Sequence, residues 1–301
     1  MKIYTLTLNP AYDIHAWTEE FLPRHENLAH ITSREAGGKG VNISRALTAC
    51  GTPNTALIVL GRDNGEEFKE SLAQFGVTCR YFEKGGRIRE NLTLHCQKTG
   101  ETRISFSGFS VDETILTEVE DAIEADENTF VTYTGRTPVG IPAEAVKAFL
   151  RRLQNRGAKL VIDSKSFALE DLFELKPWLI KPNQEEIAEY FGCEIRTLEE
   201  AGEKAKLLYE KGIANAMISL GSAGALLACG EGVFAVNAPK INPVSTIGAG
   251  DSSIAGFLAA SAKGADPLEC LKTAVAYGSA ACLTEGTQPP AKESIETFLQ
   301  R

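Results

Sequence analysis

No two of the seven cysteines lie close enough for a C-x-x-C pair, and seven is an odd number. That argues against a zinc site and a disulfide framework, and for a reducing compartment. The four histidines, His15, His25, His30 and His95, form no H-E-x-x-H. Basic charge is also short: 31 Lys and Arg stand against 40 Asp and Glu, a net −9 over 301 residues. Such a chain binds phosphate backbones poorly, although local basic sites for small anions remain open to it. Long apolar runs are missing too. The most apolar stretch, residues 213–238, is broken by Gly221, Gly224, Gly230, Glu231 and Gly232, which speaks against a membrane span. The first ten residues are too short and polar for the apolar region of a signal peptide. The expectation is a cytoplasmic protein with neither a nucleic-acid nor a membrane partner.

What is present is ordinary for a globular chain: 43% hydrophobic and 24% charged residues. The length suits two domains or one large α/β domain. Short β-rich apolar runs are expected as strands at 3–8, 55–60, 129–134, 159–162, 178–181, 216–220, 225–229 and 233–236. Helical periodicity predicts helices at 41–50, 66–75, 112–125, 143–156, 184–191, 198–211, 251–262, 267–283 and 292–299. This alternation predicts βαβ units, hence an α/β fold with a central, mostly parallel sheet flanked by helices. Ligands of such sheets bind outside the carboxyl ends of the strands. Two segments break the rhythm. Residues 11–35 have no clean helical period. Residues 87–109 read as a hairpin, with arms 91–96 and 102–106 around a turn at Lys98-Thr99-Gly100-Glu101. Both are expected to form a small sheet (11–35 and 87–109) inserted into a core of 1–10, 36–86 and 110–301.

Two glycine-rich turns stand out. Gly37-Gly38-Lys39-Gly40-Val41-Asn42 opens the first predicted helix, and Thr246-Ile247-Gly248-Ala249-Gly250-Asp251 opens the one through Ile254, Phe257 and Leu258. Glycine lets backbone amides approach a ligand closely, and amides at a helix N-terminus make an anion site. Either loop alone would serve as well as a tight connection. Neither is a standard nucleotide motif. Gly-Lys occurs only at Gly38-Lys39, with Ser33 five residues earlier, so there is no Walker A loop. Gly248 and Gly250 begin a dinucleotide fingerprint that fails at Ser253. A P-loop NTPase and a dinucleotide oxidoreductase are both disfavoured. Asp251 needs a reason to sit beside an anion site. It suits a helix cap. It also suits a base that takes a proton from a substrate hydroxyl while the preceding amides stabilise a transferring phosphoryl group. The loop by itself leaves both open.

Further segments fall in a telling order. Thr7-Leu8-Asn9-Pro10-Ala11-Tyr12-Asp13 opens the chain, followed by Gly37-Gly38-Lys39-Gly40-Val41-Asn42-Ile43-Ser44-Arg45. Then come Ile88-Arg89-Glu90-Asn91, Ser105-Phe106-Ser107-Gly108-Phe109, Lys181-Pro182-Asn183-Gln184-Glu185-Glu186, Ser219-Leu220-Gly221 and Gly248-Ala249-Gly250-Asp251-Ser252. Over essentially its whole length the chain resembles the PfkB (ribokinase-like) carbohydrate kinases. It is most similar to their 1-phosphofructokinase and tagatose-6-phosphate kinase branch. The resemblance implies a ribokinase-like fold with a small β-sheet lid, and ATP and Mg²⁺ as cofactors. It implies that Asp251 is the catalytic base and that Gly248, Ala249 and Gly250 supply the anion hole. Asp13, Gly38, Lys39 and Asn42 would hold the sugar. Asn183 and Glu186 would organise Mg²⁺ and the ATP phosphates, Glu186 through water. Ser219 and Gly221 would lie along the nucleotide, with Ala276, Ser279 and Ala280 near the adenine. Read alone, Asn183 and Glu186 also suit a helix cap with its N3 acid. Asp13 also suits a turn, Lys39 a solvated loop, and Asn42 the surface of a first helical turn.

Charge narrows the acceptor. A sugar phosphate calls for cations, best of all arginine. Arg89 and Arg103 lie on opposite arms of the predicted hairpin and Lys39 in the facing loop, which points to an anionic acceptor in an acidic protein. Two segments depart from the family pattern. Gly135-Arg136-Thr137-Pro138 stands where Gly-Ser-Leu-Pro is usual, and Asp163-Ser164-Lys165-Ser166 where Asp-x-Ser-Gly is usual. The first puts Arg136 where the family often has a small hydroxyl residue facing the sugar phosphate, so it either adds a phosphate cation or changes the acceptor. The expected reaction is ATP-dependent phosphorylation of a ketohexose phosphate, first fructose 1-phosphate, with tagatose 6-phosphate as the alternative acceptor. A sugar-phosphate or nucleotide sensor without chemistry is the alternative from another class. The edges of a small lid sheet need covering, which makes pairing of two lids a route to a homodimer.

Overall fold

A computed structural model describes residues 1–300. Thirteen strands and ten helices follow one another as β1 (Lys2–Thr7), β2 (Ala11–Thr18), β3 (His30–Gly37), α1 (Lys39–Ala49), β4 (Thr55–Gly61), α2 (Gly65–Gln74), β5 (Cys79–Lys84), β6 (Arg89–Cys96) and β7 (Gly100–Ile104). Then come α3 (Ile115–Asp121), β8 (Thr129–Thr134), α4 (Ala143–Asn155), β9 (Lys159–Asp163), α5 (Leu169–Leu175), β10 (Leu179–Ile180), α6 (Gln184–Phe191), α7 (Leu198–Glu210) and β11 (Asn215–Ser219). The chain closes with β12 (Ala225–Cys229), β13 (Gly232–Val236), α8 (Ala249–Ala262), α9 (Pro267–Ala281) and α10 (Lys292–Leu299).

Nine strands form one sheet in the order β13-β12-β11-β10-β9-β8-β1-β4-β5. All neighbours from β11 to β5 are parallel, and β12 and β13 close one edge antiparallel. A parallel sheet must be covered on both faces, and the side-chain alternation shows how. Phe130, Val161, Met217 and Leu227 point to one face with α1, α8, α9 and α10. Val131, Leu160, Ile162, Ala216, Ile218 and Leu226 point to the other with α3 to α7. Each of these side chains larger than alanine, fully removed from water, contributes roughly 1.5–3 kcal/mol. The Gly256 and Gly278 positions leave no room for a Cβ, so α8 and α9 lie close against each other.

The second sheet has four strands in the order β3-β2-β6-β7. The strands β2 and β6 are parallel, the outer pairs antiparallel, and a bulge sits between His15 and Ala16. Its root joins the core through Tyr12, Ala36 and Ile88, packed with Val41, Ile58 and Phe68.

The hairpin arm expected at 102–106 is Gly100–Ile104, the strand expected at 178–181 is only Leu179–Ile180, and three further elements differ from expectation. The strand β5 is an edge strand that no apolar run announces. The helix α5 follows the departing 163–166 segment and is only 7 residues long. The helix expected over 112–125 is shortened to α3, because turn bonds on either side, such as Ile115 N to Asp112 O and Ile123 N to Glu120 O, are not continued as helix.

Candidate active site

The carboxyl ends of the parallel strands bring the chemistry together. Strand β1 ends at Thr7, β8 at Thr134 and β9 at Asp163, while β10 and β11 lead to Lys181 and Ser219. Two concave spaces lie over these ends. A polar cleft of about 510 Å³ holds Asp13, Gly38, Lys39, Asn42, Arg89, Arg103, Arg136 and Asp251. A largely apolar groove of about 580 Å³ is walled by Met217, Ser219, Gly221, Ile241, Val275 and Ser279. Both are lined by Lys181, Asn183, Thr246 and Gly250, so they meet along one seam.

Asp251 sits beside that seam. Helix α8 starts at Ala249 with Gly248 as its N-cap at φ 79°, a left-handed value that favours glycine. Asp251 is therefore the third residue of the helix and caps nothing. Its carboxylate instead accepts from Asn42 Nδ2 at 2.9 Å. It is buried, and burial together with the nearby Asp163 pushes its carboxyl up to about 6, against the pull of Lys39, Asn42 and Lys181. The amides of Gly248, Ala249 and Gly250 belong to a first turn without intrahelical acceptors; only Ala249 makes a turn bond, to Thr246 O at 3.4 Å.

Asp163 is the organising acid that the sequence reading passed over. It accepts from Lys39 Nζ at 2.8 Å and lies 3.8 Å from Lys181 Nζ. Burial works against its charge, but Lys181 and Lys39 hold it below the usual carboxylate range. In return Asp163 and Asp251 keep the Lys39 ammonium well above its ordinary value despite burial. Two lysines and two carboxylates thus alternate along the seam. The signal for Asp163 was its place at the end of a central strand, and for Lys181 its place before the Asn183 helix.

The polar cleft is lined by groups that pair with hydroxyls and anions. Asp13 accepts from Asn91 Nδ2 at 3.0 Å and from Arg103 Nη2 at 3.2 Å. A side chain at Gly37 would run into the Asp13 carboxylate, so the turn must carry glycine there. Four buried oxygens along this cleft have no protein partner: Thr7 Oγ1, Asn42 Oδ1, Asn91 Oδ1 and Thr134 Oγ1. Buried polar atoms rarely stay unpaired, and a polyhydroxylated ligand would satisfy them. Arg89 is fixed by the backbone carbonyls of Asn9, Pro10 and Phe106. Burial and the nearby Arg136 and Arg103 charges lower its pKa. Three guanidinium groups therefore face one end of the cleft.

The two departing segments are neighbours. Thr137 N donates to Ser166 Oγ at 2.9 Å, Ser164 Oγ donates to Gly135 O, and Tyr133 shares a hydroxyl bond with Thr137 at 2.7 Å. Two serine hydroxyls, of Ser164 and Ser166, thus support the turn that presents exposed Arg136 at the cleft rim. The two departures are one linked change.

Asn183 lines the groove and forms a reciprocal cap with Glu186, which lies outside the lining of both the groove and the cleft, beside Asp163 and Lys165. Glu186 N donates to Asn183 Oδ1 at 2.8 Å, and Asn183 N to Glu186 Oε2 at 3.1 Å. Glu186 Oε1 lies 3.6 Å from Lys165 Nζ. Among the described residues no three His, Cys, Asp or Glu side chains gather as a metal cage. With its oxygens already facing Asn183 N and Lys165, the Glu186 carboxylate fits Mg²⁺ through water, an ion that keeps several waters and takes substrate phosphates as ligands. Ser219, Gly221 and Ser279 line the groove, but Ala276 and Ala280 do not. The turn of α9 directs Val275, Gly278, Ser279 and Cys282 to the groove, and Ala276 and Ala280 into the helix core. The helical period separates the two faces, which corrects those two expected positions.

A family model described as pfkB family carbohydrate kinase matches residues 7–294. The 1-phosphofructokinase of Bacillus subtilis is 34% identical over 285 residues, covering 94% of this chain and 93% of that protein. The 1-phosphofructokinase of Vibrio cholerae is 31% identical over 302 residues, covering 100% and 95%. The solved structure of phosphofructokinase-2 from Escherichia coli in complex with substrates and products matches with a TM-score of 0.93. Identity there is 28%, with 100% of this chain and 99% of that one covered.

Proposed function

Because the chain belongs to the pfkB family of carbohydrate kinases, we propose that the polar cleft is the acceptor half and the apolar groove the donor half of one kinase site. The protein is an ATP-dependent phosphotransferase with an alcohol acceptor. It converts fructose 1-phosphate to fructose 1,6-bisphosphate. The observation that carries the site assignment is Asp251, a buried carboxylate with raised proton affinity at the seam between an arginine-rimmed cleft and a groove suited to a nucleotide base.

The product fixes the chemistry. The 1-phosphate lies among Arg89, Arg103 and Arg136, and the 6-hydroxyl faces Asp251. That hydroxyl gives its proton to the Asp251 carboxylate as its oxygen attacks the terminal phosphorus of ATP. The bond from that phosphorus to the bridging oxygen breaks and ADP leaves. A base with a pKa near 6 is ionised at neutral pH yet still accepts a proton well. The Gly248, Ala249 and Gly250 amides face the charge on the group in transfer, and Lys39 and Lys181, held by Asp163, add positive charge at the seam. Bound Mg²⁺ would neutralise phosphate charge there, with Asn183 and Glu186 as the residues to hold it. Segments 11–35 and 87–109 act as the lid that excludes water when sugar is bound.

Exposed Trp17, Leu28, Ile31 and Ile104 on the lid support a homodimer through this sheet. All seven cysteines are unpaired, which fits a reducing, cytoplasmic setting. No described helix is long and apolar enough to cross a membrane. A coupled assay of ADP release with fructose 1-phosphate and with tagatose 6-phosphate tests the acceptor. Turnover with fructose 1-phosphate is expected. Turnover of only a neutral sugar or a nucleoside would overturn the phosphate-acceptor reading.

A further inference from the structure

The mechanism above leaves one buried charged cluster without a task. Glu35, on strand β3 of the lid, receives four hydrogen bonds from two other parts of the molecule. Arg45 of α1 donates through Nη1 at 3.2 Å and Nη2 at 3.3 Å, both to Oε2. Thr287 Oγ1 donates to the same oxygen at 3.1 Å, and Gln288 Nε2 donates to Oε1 at 2.7 Å. Arg45 also donates to Gln288 Oε1 at 3.3 Å and to Ala36 O at 3.5 Å, and its guanidinium stacks 3.9 Å over Phe75. It is 1% exposed, which makes it the largest fully buried side chain of the protein.

Burying an arginine costs several kcal/mol unless it is well paired, and replacing such pairs by apolar side chains is often neutral for stability. Stability alone is therefore a poor reason for the cluster. Its connections suggest another. Thr287 lines the polar cleft, and its Cα lies 3.7 Å from where a Cβ on Gly248 would stand. The 285–288 turn is thus the wall behind the N-cap of α8. Arg45 lies on the same helix as Lys39 and Asn42, which are six and three residues earlier, so the cluster also holds the helix that holds Asp251. Glu35 in turn pairs in register with Asp13, the acid at the centre of the acceptor cleft.

We infer that the Glu35–Arg45–Thr287–Gln288 cluster is a positioning latch that ties the lid strand to the wall behind Gly248, so that lid closure on the sugar sets the phosphoryl-transfer loop. Glu35, Arg45 and Thr287 touch no reacting atom in this role; they act through Gly248 and Asp251. The inference rests on the kinase reading of the two clefts.

The test uses the full-length protein and four variants: Glu35→Gln, Arg45→Lys, Thr287→Val and Thr287→Ser. The valine has the shape of threonine without its hydroxyl, and the serine restores the bond to Glu35. With fructose 1-phosphate and ATP, Glu35→Gln and Arg45→Lys are expected to lower kcat about tenfold or more, because small displacements at a transfer site are costly. KM for fructose 1-phosphate should stay within about threefold, the pattern of an interaction expressed at the transition state. Thr287→Val should lower kcat less, and Thr287→Ser should restore it. Hydrogen exchange gives a readout independent of turnover. Fructose 1-phosphate alone should slow exchange of amides in 246–250 and 285–288 of the wild type. In Thr287→Val that distant protection should be lost while protection in 89–104 remains. Equal kcat for the valine and serine variants, or undiminished distant protection in the valine variant, would overturn the latch. Because Thr287→Val only exchanges the hydroxyl for a methyl and Thr287→Ser keeps the hydroxyl, the pair decides the matter even if Glu35→Gln does not fold. A wild type that binds the sugar phosphate but turns nothing over would instead count against the kinase reading, and the exchange experiment would still judge the latch.

Discussion

The acceptor cleft is walled by side chains that end in charge, amide or hydroxyl: Asp13, Asn91, Arg89 and Arg103 from the small sheet, with Thr7, Lys39 and Asn42 facing them. The donor groove beside it is walled by Met217, Ile241, Pro243 and Val275, and by backbone at Gly221, Gly224 and Gly278. Both lie over one row of strand ends and share Lys181, Asn183, Thr246 and Gly250. The difference fits what each is proposed to recognise. A sugar phosphate presents many directional groups and two charges, so its site spends many polar atoms, some left unpaired until it binds. A nucleotide base presents a flat face, so shape and apolar area suffice for it. Single substitutions should therefore break the cleft and barely mark the groove, with the seam more sensitive than either.

The largest effect belongs to the seam. Asp251→Asn should lower kcat by about 10²–10⁴-fold, the range of a lost general base. Fructose 1-phosphate binding by calorimetry should remain within a few-fold of wild type. The same variant should melt no lower than wild type at pH 8. The folded state holds this carboxyl above its ordinary value, so ionising it works against the fold as pH rises through the interval up to about 6. Removing the charge removes that cost, and the free Oδ1 of Asn42 lets its amide turn to meet the new side chain.

The next effect is on pH dependence. The kcat/KM of the wild type should fall about tenfold per pH unit below the Asp251 pKa near 6, since the base must be ionised. Asp163→Asn removes a neighbouring charge that raises this carboxyl, so the acidic limb should move to lower pH. The same change frees Lys39 and Lys181 from their counter-ion, so kcat should also fall.

Within the acceptor cleft, Arg103→Ala and Arg136→Ala should each raise KM for fructose 1-phosphate about tenfold or more, as expected for lost charge-assisted contacts. KM for ATP should hardly change. If Arg136→Ala leaves the sugar-phosphate KM unchanged, the guanidinium at the rim only decorates the turn. The smallest effect lies in the groove. Ser279→Ala should change KM for ATP by less than about threefold, because one hydroxyl contributes little where area dominates.

The same contrast explains what could be read from the chain. Gly37-Gly38 and Gly248-Ala249-Gly250 announce themselves as glycine-rich turns: Gly37 leaves no room for a side chain beside Asp13, and Gly38 and Gly248 take positive φ. The arginines of the hairpin announce a charged ligand in an acidic protein. The central strands were visible as apolar runs because both of their faces are buried. The groove was less legible. Which residues of α9 line it depends on the helix phase set by packing against α8, and so Ala276 and Ala280 turned out to face the core. Asp163 was hidden differently: its role exists only once β9 sets it between two lysines that lie 124 and 18 positions away in sequence. Edge strand β5 has a single buried face and a broken pattern, so periodicity gave it no voice. The Glu35 cluster joins positions 10 and 253 residues apart, a contact that no local pattern encodes.

The most direct measurement is a crystal structure of the protein with fructose 1-phosphate and a non-hydrolysable ATP analogue. The account predicts the 6-hydroxyl about 2.6–3.2 Å from an Asp251 carboxylate oxygen, with the terminal phosphate against the Gly248–Gly250 amides. A sugar bound with its reacting hydroxyl out of reach of Asp251, that carboxylate still paired only with Asn42, would contradict it.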